Sequence, residues 1–556
     1  MEDRQEISQE RTPKTAYFLL AIFLIFIAHS LFLQCVAEDA YISFRFAKNL
    51  AGGQGLIWNP GEKPVEGYTN FLWVLISAVL LKFRLNILWL SQAIGIIAGL
   101  LAIWYTYKFS WRLLGLSRRL SLIPCLFLAL SGPFATWATS GMETNLFTLF
   151  VLMAGYYFTS YWKSRTSRDF YVCFLSSFFA TLTRPEGLLI FGLIFVSSLI
   201  LFWLNKVSLE ALLFPVLSYV IPFLAYCIWR YAYFGFWLPN TFYAKTGGAA
   251  LQYLRGLEYV KFFAICFLVP LLPVALWFVV EKRRSFFKKT GSKSIVEHIN
   301  KNLGIYLSLV IFLVYTLYIV YVGGDYMAMY RFFVPVLPFI YLIFGFVIDR
   351  IFRPAASSKL KTIWLLIFII FAAAATIIQS TPLEKSIYKK PAYMHGNYRG
   401  VETERWHTAR LALLGKFFDK YKNNPDESVA STAIGIISYY ADMKIVDFFG
   451  LVDPYLAHQR IRNVGQGWPG HEKIDLDYLF SKRPTYIMYR REFTRQPRDM
   501  NEFWRHPIIL NEYKVTAVWL NDKKNNEEGY FSFLELKGNK HDPKIEKYFK
   551  LDLATR

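Results

Sequence analysis

Runs of roughly 20 apolar residues, the length that crosses a bilayer core, recur along this chain from about Thr15 to about Ser380 and then stop. No single soluble core buries that many continuous apolar stretches. The chain has 556 residues, of which 55% are hydrophobic and 19% aromatic, and its mean hydropathy is +0.30, too apolar for an ordinary soluble surface. The pattern predicts an α-helical polytopic membrane protein. Residues 1–380 form the membrane body and residues 381–556 an extracytoplasmic α/β domain.

Charge then supplies the topology. The net charge of +22 is not one patch of the kind that grips nucleic acid. Basic residues come in bursts between apolar runs: Lys108, Arg112, Arg118 and Arg119; Lys163, Arg165 and Arg168; Lys282 to Lys293; and Arg350, Arg353, Lys359 and Lys361. The positive-inside rule puts these loops in the cytoplasm. The first run, from about Ala16 to Val36, is too long for a signal-peptide core and lacks a small-residue cleavage site, so it reads as a retained helix. Threading the runs gives about eleven spans of bilayer length, with the N-terminus cytoplasmic and the C-terminal domain periplasmic, in a bacterial inner membrane. This path requires Asn70 to Phe83 to lie in the outer interface rather than cross.

On that path the unusual charged clusters share the outer face. They are Glu38-Asp39; Glu66-Gly-Tyr68-Thr-Asn70; Ser140-Gly-Met-Glu143-Thr; Thr183-Arg184-Pro-Glu186-Gly; Leu238 to Lys245; and Gly323-Gly-Asp325-Tyr with Arg331. Nucleotide-activated donors are cytoplasmic, so a group-transfer site outside needs its activated sugar carried on a lipid. Transfer from a polyprenyl-phosphate sugar with inversion requires a carboxylate to take the acceptor hydroxyl's proton and cations to stabilise the departing phosphate. Asp39 is the candidate base and Glu38 its partner or substitute, since neighbours on a helix point about 100° apart. Arg331, Arg184 and Lys245 are candidates for the lipid phosphate. Glu66, Tyr68, Asn70, Asp325, Glu143 and Glu186 are candidates to shape the pocket.

Each has a structural alternative. Asp39 is also a fitting N-cap for a helix from Ala40 to Leu50. Glu143 suits the positive end of a helix. Arg184 and Glu186 suit a salt bridge across Pro185, and Arg331 suits snorkelling. Paired acids beside phosphate oxygens also suit a hard divalent cation, which the sequence leaves open; no other cofactor is expected. The five cysteines lie in apolar runs without a CxxC pair.

The stretch EDAYISFRFAKNLAGGQGLIWNPGEKPVEGYTNFLW, with SGMET, TRPEG, GDYMAMYRFFVPVLP and GIISYYADMKIVDFFGLVDPYLA, resembles the GT-C type integral-membrane glycosyltransferases. Among them it is most similar to the mycobacterial terminal β-(1→2)-arabinofuranosyltransferases and their bacterial relatives, which include flagellar motor control proteins of the ZomB type. The resemblance implies a decaprenylphosphoryl-arabinose-like donor, an acidic pair in the first periplasmic loop as catalytic centre, and a glycan or glycolipid acceptor near the C-terminal domain. That pair usually reads Asp-Asp; here it is Glu38-Asp39, which lengthens one arm by a methylene. A non-enzymatic role in envelope or motor assembly and a lipid or sugar transporter are the competing classes.

Within 381–556, strands are expected at Ser428–Ser431, Lys444–Asp447, 484–488, 514–519 and 530–536, with a small parallel unit between Val429 and Asp447. His458, Trp468 and His471 are possible glycan contacts that fit an ordinary polar surface better.

Overall fold

The computed structural model describes residues 12–204, 206–245, 250–268, 292–352, 366, 370, 401–460, 470–497, 506–522 and 527–541. The sequence-level boundary at 380 and Trp468 lie outside them. The chain forms two compact units, one built from Met1–Cys35, Ser91–Cys227 and Gln252–Val401, the other from Val36–Leu90, Ile228–Leu251 and Glu402–Arg556.

The first unit is helical. Among the described residues of the chain, five helices are long and apolar enough to cross a membrane: Lys14–Phe32, Ile87–Leu113, Leu209–Phe234, Asn302–Val322 and Arg331–Arg350. Helices Thr144–Ser164 and Ser167–Thr183 form a hairpin. Arg165 closes the first of them in the left-handed region, and Tyr161 stacks on Phe170 at 3.9 Å across the turn. Gly187 opens helix Gly187–Trp203 where a Cβ would fall 2.3 Å from the Thr181 amide nitrogen, so the TRPEG turn has room only for glycine.

The second unit carries an α/β core. Its sheet has strands β1 (Ser428–Ser431), β2 (Lys444–Asp447), β3 (Tyr486–Met488), β4 (Tyr513–Asp522) and β5 (Glu527–Leu536) in the order β2-β1-β3-β5-β4. β1 pairs in parallel with β2 and β3, while β5 runs antiparallel to β3 and β4. Parallel neighbours need a crossover, and helix Ile434–Ala441 supplies it between β1 and β2. Ala430, Val446, Ile487 and Leu534 face Phe448, Phe480 and Tyr513 in the core.

Two helices from the N-terminal third belong to this unit: Glu38–Ala51, and Phe71–Lys82, whose 12 residues extend only about 18 Å against a hydrocarbon core of about 30 Å. Helix Val401–Tyr421 packs Phe417, Phe418 and Tyr421 on Phe533 of β5.

Candidate functional site

The first-loop motif is bonded to the C-terminal sheet by side chains that replace missing backbone partners. Asn59 pairs with Ile445 of β2 as another strand would, donating to its carbonyl and accepting from its amide at 3.0 Å each. Arg45, 2% exposed, donates to the carbonyls of Trp58 (3.2 Å) and Met443 (3.0 Å) and to that of Ser438. Burial lowers its pKa to about 10, so the guanidinium stays charged at neutral pH and each carbonyl bond is charge-assisted. Asn240 of the LPNTFYAK segment donates to the carbonyls of Gly450 (2.8 Å) and Leu451 (3.0 Å). The segments quoted above as EDAYISF…TNFLW and GIISYYADMK…DPYLA are therefore one structural object.

Glu38 is part of that bonding. Helix Ile434–Ala441 has Ala433 at its N-cap and no cap of its own, which leaves amide donors unsatisfied. Glu38 Oε1 accepts from the Gly435 amide at 2.5 Å and the Ile436 amide at 3.3 Å. Burial, and next the charge of Asp39, push the Glu38 carboxyl up to about 8, against the pull of these amides. Gly435 is required: a Cβ there would lie 2.5 Å from the Glu38 carbonyl oxygen.

Asp39 takes the other direction. The N-cap of its helix is Ala37 and the helix begins at Glu38, so Asp39 sits inside the first turn and is not the cap of a helix from Ala40. It is half-buried. Thr408 of helix Val401–Tyr421 donates to the Val36 carbonyl at 2.7 Å, and this seats His407 beside the acid pair. Arg491 Nη1 donates to His407 Nε2 at 3.2 Å. Burial first, then the positive charges of Arg491 and Arg410, lower the His407 imidazole to about 3, with Asp39 pulling the other way. His407 is thus neutral at physiological pH. Sequence reasoning missed His407, Arg410 and Arg491, which nothing near them in the chain connects to residue 39.

The remaining candidates of this unit are buried supports. Glu66 meets Arg230 at 3.5 Å, and its carbonyl accepts from the Asn240 amide at 2.9 Å. Tyr68 packs edge-on against Phe46 with centroids 4.8 Å apart. Asn70 bonds Ser43 at 2.9 Å. Tyr68 and Asn70 thus bear on the helix that carries Asp39. Lys245 is exposed and lays its aliphatic arm over Gly470. His458 stacks on Tyr243 at 4.2 Å and His471 meets Phe449 edge-on at 4.8 Å.

The other five candidates gather in the first unit. Arg184 is gripped by Glu143 (3.0 Å) and Glu186 (2.8 Å), and Arg331 by Asp325 (2.8 Å). Both guanidiniums lie over Phe332, at 5.5 and 5.2 Å. Gly323 and Gly324 turn with positive φ ahead of Asp325, and Met329 and Tyr330 hold φ of 59° and 44° just before Arg331, a strained backbone for non-glycine residues. Trp137 Nε1 donates to the Met329 carbonyl at 3.2 Å and holds that turn. Three carboxylates thus stand against two guanidiniums, so these arginines offer no net positive charge.

A divalent cation needs several converging oxygen donors. Among the described residues no three His, Cys, Asp or Glu side chains gather to hold one, and Glu38 is committed to helix amides.

Comparison with known proteins adds three findings. Residues 396–534 match a family described as a domain of unknown function, DUF8728. The chain is similar to the terminal β-(1→2)-arabinofuranosyltransferases of Mycobacterium tuberculosis, 27% identical over 272 residues, and of Corynebacterium glutamicum, 26% identical over 354 residues. These matches cover 45% and 56% of this chain but 42% and 49% of the relatives, so the chain spans less than half of their length. In fold it is similar to ArnT from Cupriavidus metallidurans, solved bound to undecaprenyl phosphate, with a TM-score of 0.55 at 12% identity over 95% of this chain and 98% of that one. The likeness to ArnT shows the fold alone, which is of the GT-C type, and five described helices are long and apolar enough to cross a membrane.

Proposed function

We propose that the protein transfers a sugar from a polyprenyl-phosphate donor to an extracytoplasmic glycan or lipid, with Asp39 as general base. The observation that carries this reading is the division of labour in the acid pair. Glu38 caps a helix, while Asp39 remains half-exposed beside a neutral histidine that two arginines flank. A glycosyltransferase of the inverting kind needs one such carboxylate.

In the proposed step Asp39 takes the proton of the acceptor hydroxyl as its oxygen attacks the anomeric carbon. The bond from that carbon to the phosphate oxygen breaks, and its electron pair leaves with the lipid phosphate. Similarity to arabinofuranosyltransferases supports arabinofuranose as the sugar, and the undecaprenyl phosphate held by ArnT supports a lipid-linked donor. The topology proposed with it has about eleven bilayer-length spans in a bacterial inner membrane, a cytoplasmic N-terminus and a periplasmic domain from about residue 381. Lys245 remains a proposed phosphate contact. Arg184 and Arg331 remain proposed phosphate contacts, held by Glu143, Glu186 and Asp325, and Glu66, Tyr68 and Asn70 are proposed to shape the pocket.

The test is a reconstituted assay offering polyprenyl-phosphate pentoses and hexoses with a glycan acceptor. Consumption of at least one donor is expected. Folded protein that consumes none of them would remove the enzyme reading.

A further inference from the structure

The helix that carries Asp39 holds a second charged side chain against the C-terminal domain. Glu38 and Arg45 are two helical turns apart in the sequence, which puts them on one face with about 10 Å between them along the axis. Helix Ile434–Ala441 has 8 residues and so a length of about 12 Å. The two side chains therefore reach from one of its ends to the other. Glu38 accepts from the Gly435 and Ile436 amides at the N-terminus, and Arg45 Nη1 donates to the Ser438 carbonyl in the last turn. Between them Tyr41, 3% exposed, packs edge-on against Tyr439 at 5.5 Å and lies 5.8 Å from Tyr440. The helices run side by side in the same direction. The acid stands where amides point outward and the cation where carbonyls do, as each terminus favours.

Arg45 reaches past the helix end as well. Its Nη2 donates to the Met443 carbonyl at 3.0 Å, beyond the left-handed turn at Asp442, and its Nε donates to the Trp58 carbonyl at 3.2 Å. Each of its three nitrogens thus bonds a different segment: the loop at Trp58, the helix at Ser438 and the approach to β2 at Met443. A guanidinium presents its donors in a fixed plane, so three carbonyls in three directions determine where it lies; an ammonium is a single point and does not serve all three. Sliding the Asp39 helix by one residue, about 1.5 Å, or turning it by about 100° breaks bonds at both ends.

We propose that Arg45 is a positioning residue for Asp39: it fixes the depth and rotation of the Asp39 helix against helix Ile434–Ala441, so that the C-terminal domain sets where the base meets the acceptor hydroxyl. This rests on the glycosyltransferase reading. The bonds of Arg45 go to backbone carbonyls, so its effect on transfer passes through the helix. Lys422 supplies the control. It donates to the Ala441 carbonyl at 2.7 Å and the Asp442 carbonyl at 3.1 Å, at the same helix end, but it follows helix Val401–Tyr421 and is not on the Asp39 helix.

The experiment compares the reconstituted full chain as wild type, Arg45→Gln, Arg45→Lys and Lys422→Gln, below the melting temperature of every variant. It reads kcat, the donor KM, and the rate at which a water-soluble carbodiimide modifies Asp39, located by mass spectrometry. Arg45→Gln is expected to lower kcat about 10²-fold, the cost of a displacement of about 1 Å at a reacting group. Its donor KM is expected to stay at the wild-type value and its Asp39 modification rate to change several-fold. Arg45→Lys, which keeps the charge without the fork, is expected to fall between Arg45→Gln and wild type. Lys422→Gln is expected to melt earlier yet keep kcat within about twofold, a negligible barrier change, with Asp39 modified at the wild-type rate. A folded Arg45→Gln protein with wild-type kcat, or with Asp39 reacting as in wild type, would overturn the proposal. So would a raised donor KM at unchanged kcat, or an equal loss of kcat in Lys422→Gln, which would reduce Arg45 to a stabilising cap. Should Arg45→Gln not accumulate, Arg45→Lys decides, because wild-type kcat and Asp39 reactivity in that variant also overturn it. Wild type that transfers no sugar, while Arg45→Gln still changes the reactivity of Asp39, would instead fault the enzymatic reading and leave the positioning role standing.

Discussion

At the scale of single residues, the acid pair divides into a structural and a chemical member, and pH separates them. Glu38 has its folded pKa raised from an ordinary carboxylate value to about 8, so the folded protein holds a proton that the unfolded chain gives up. Its contribution is fully present below about pH 4.5 and is lost as pH climbs through 8, an effect on the order of a few kcal/mol. Glu38→Gln keeps an acceptor for the Gly435 amide without the buried charge. Its melting temperature should exceed that of wild type at pH 8.5 and match it at pH 4. His407 runs the other way. Its pKa is lowered to about 3, so the unfolded chain binds the extra proton between about pH 6.5 and 3 and stability falls with acid across that window. His407→Gln should lessen the acid loss seen by thermal melting at pH 4.

Elements explain which parts of the sequence were legible. The five strands fall where runs of β-branched and aromatic residues between polar turns put them, because a half-buried sheet imprints its pattern locally. The salt bridge across Pro185 was also legible, since its partners are two residues apart. Glu38 as a helix cap was not legible, because its partner Gly435 is 397 residues away and an uncapped helix leaves no signature at residue 38. Likewise, nothing in the run around Trp406 and His407 points to Asp39; folding alone makes them neighbours. The contact predicts its own failure: Gly435→Ala places a Cβ 2.5 Å from the Glu38 carbonyl. Overpacking of that kind costs about 1–3 kcal/mol. We expect a lowered melting temperature and a loss of transfer larger than that of Glu38→Gln, measured on the same preparations.

At the scale of the whole molecule, the proposed topology places the first loop and the C-terminal domain in one aqueous compartment. The two are joined within one compact unit by Arg45, Asn59 and Asn240, which makes a shared compartment a physical requirement of the fold. In a cysteine-free background, Lys63→Cys and Lys540→Cys should both react with a membrane-impermeant maleimide added outside. Arg119→Cys, in a basic loop, should react only after the membrane is opened. Labelling of Lys63→Cys and Lys540→Cys from opposite sides would break the account.

The central claim is that Asp39, and not its neighbour, takes the acceptor's proton. The most direct measurement is the sugar-transfer rate of reconstituted wild type, Asp39→Asn and Glu38→Gln at neutral pH with saturating polyprenyl-phosphate sugar. The account predicts that Asp39→Asn loses about 10²–10⁴-fold, as removal of a general base does. It predicts that Glu38→Gln stays within about tenfold of wild type, a barrier change of about 1.4 kcal/mol. Normal transfer by Asp39→Asn, or a collapse of Glu38→Gln with its fold intact, would contradict it.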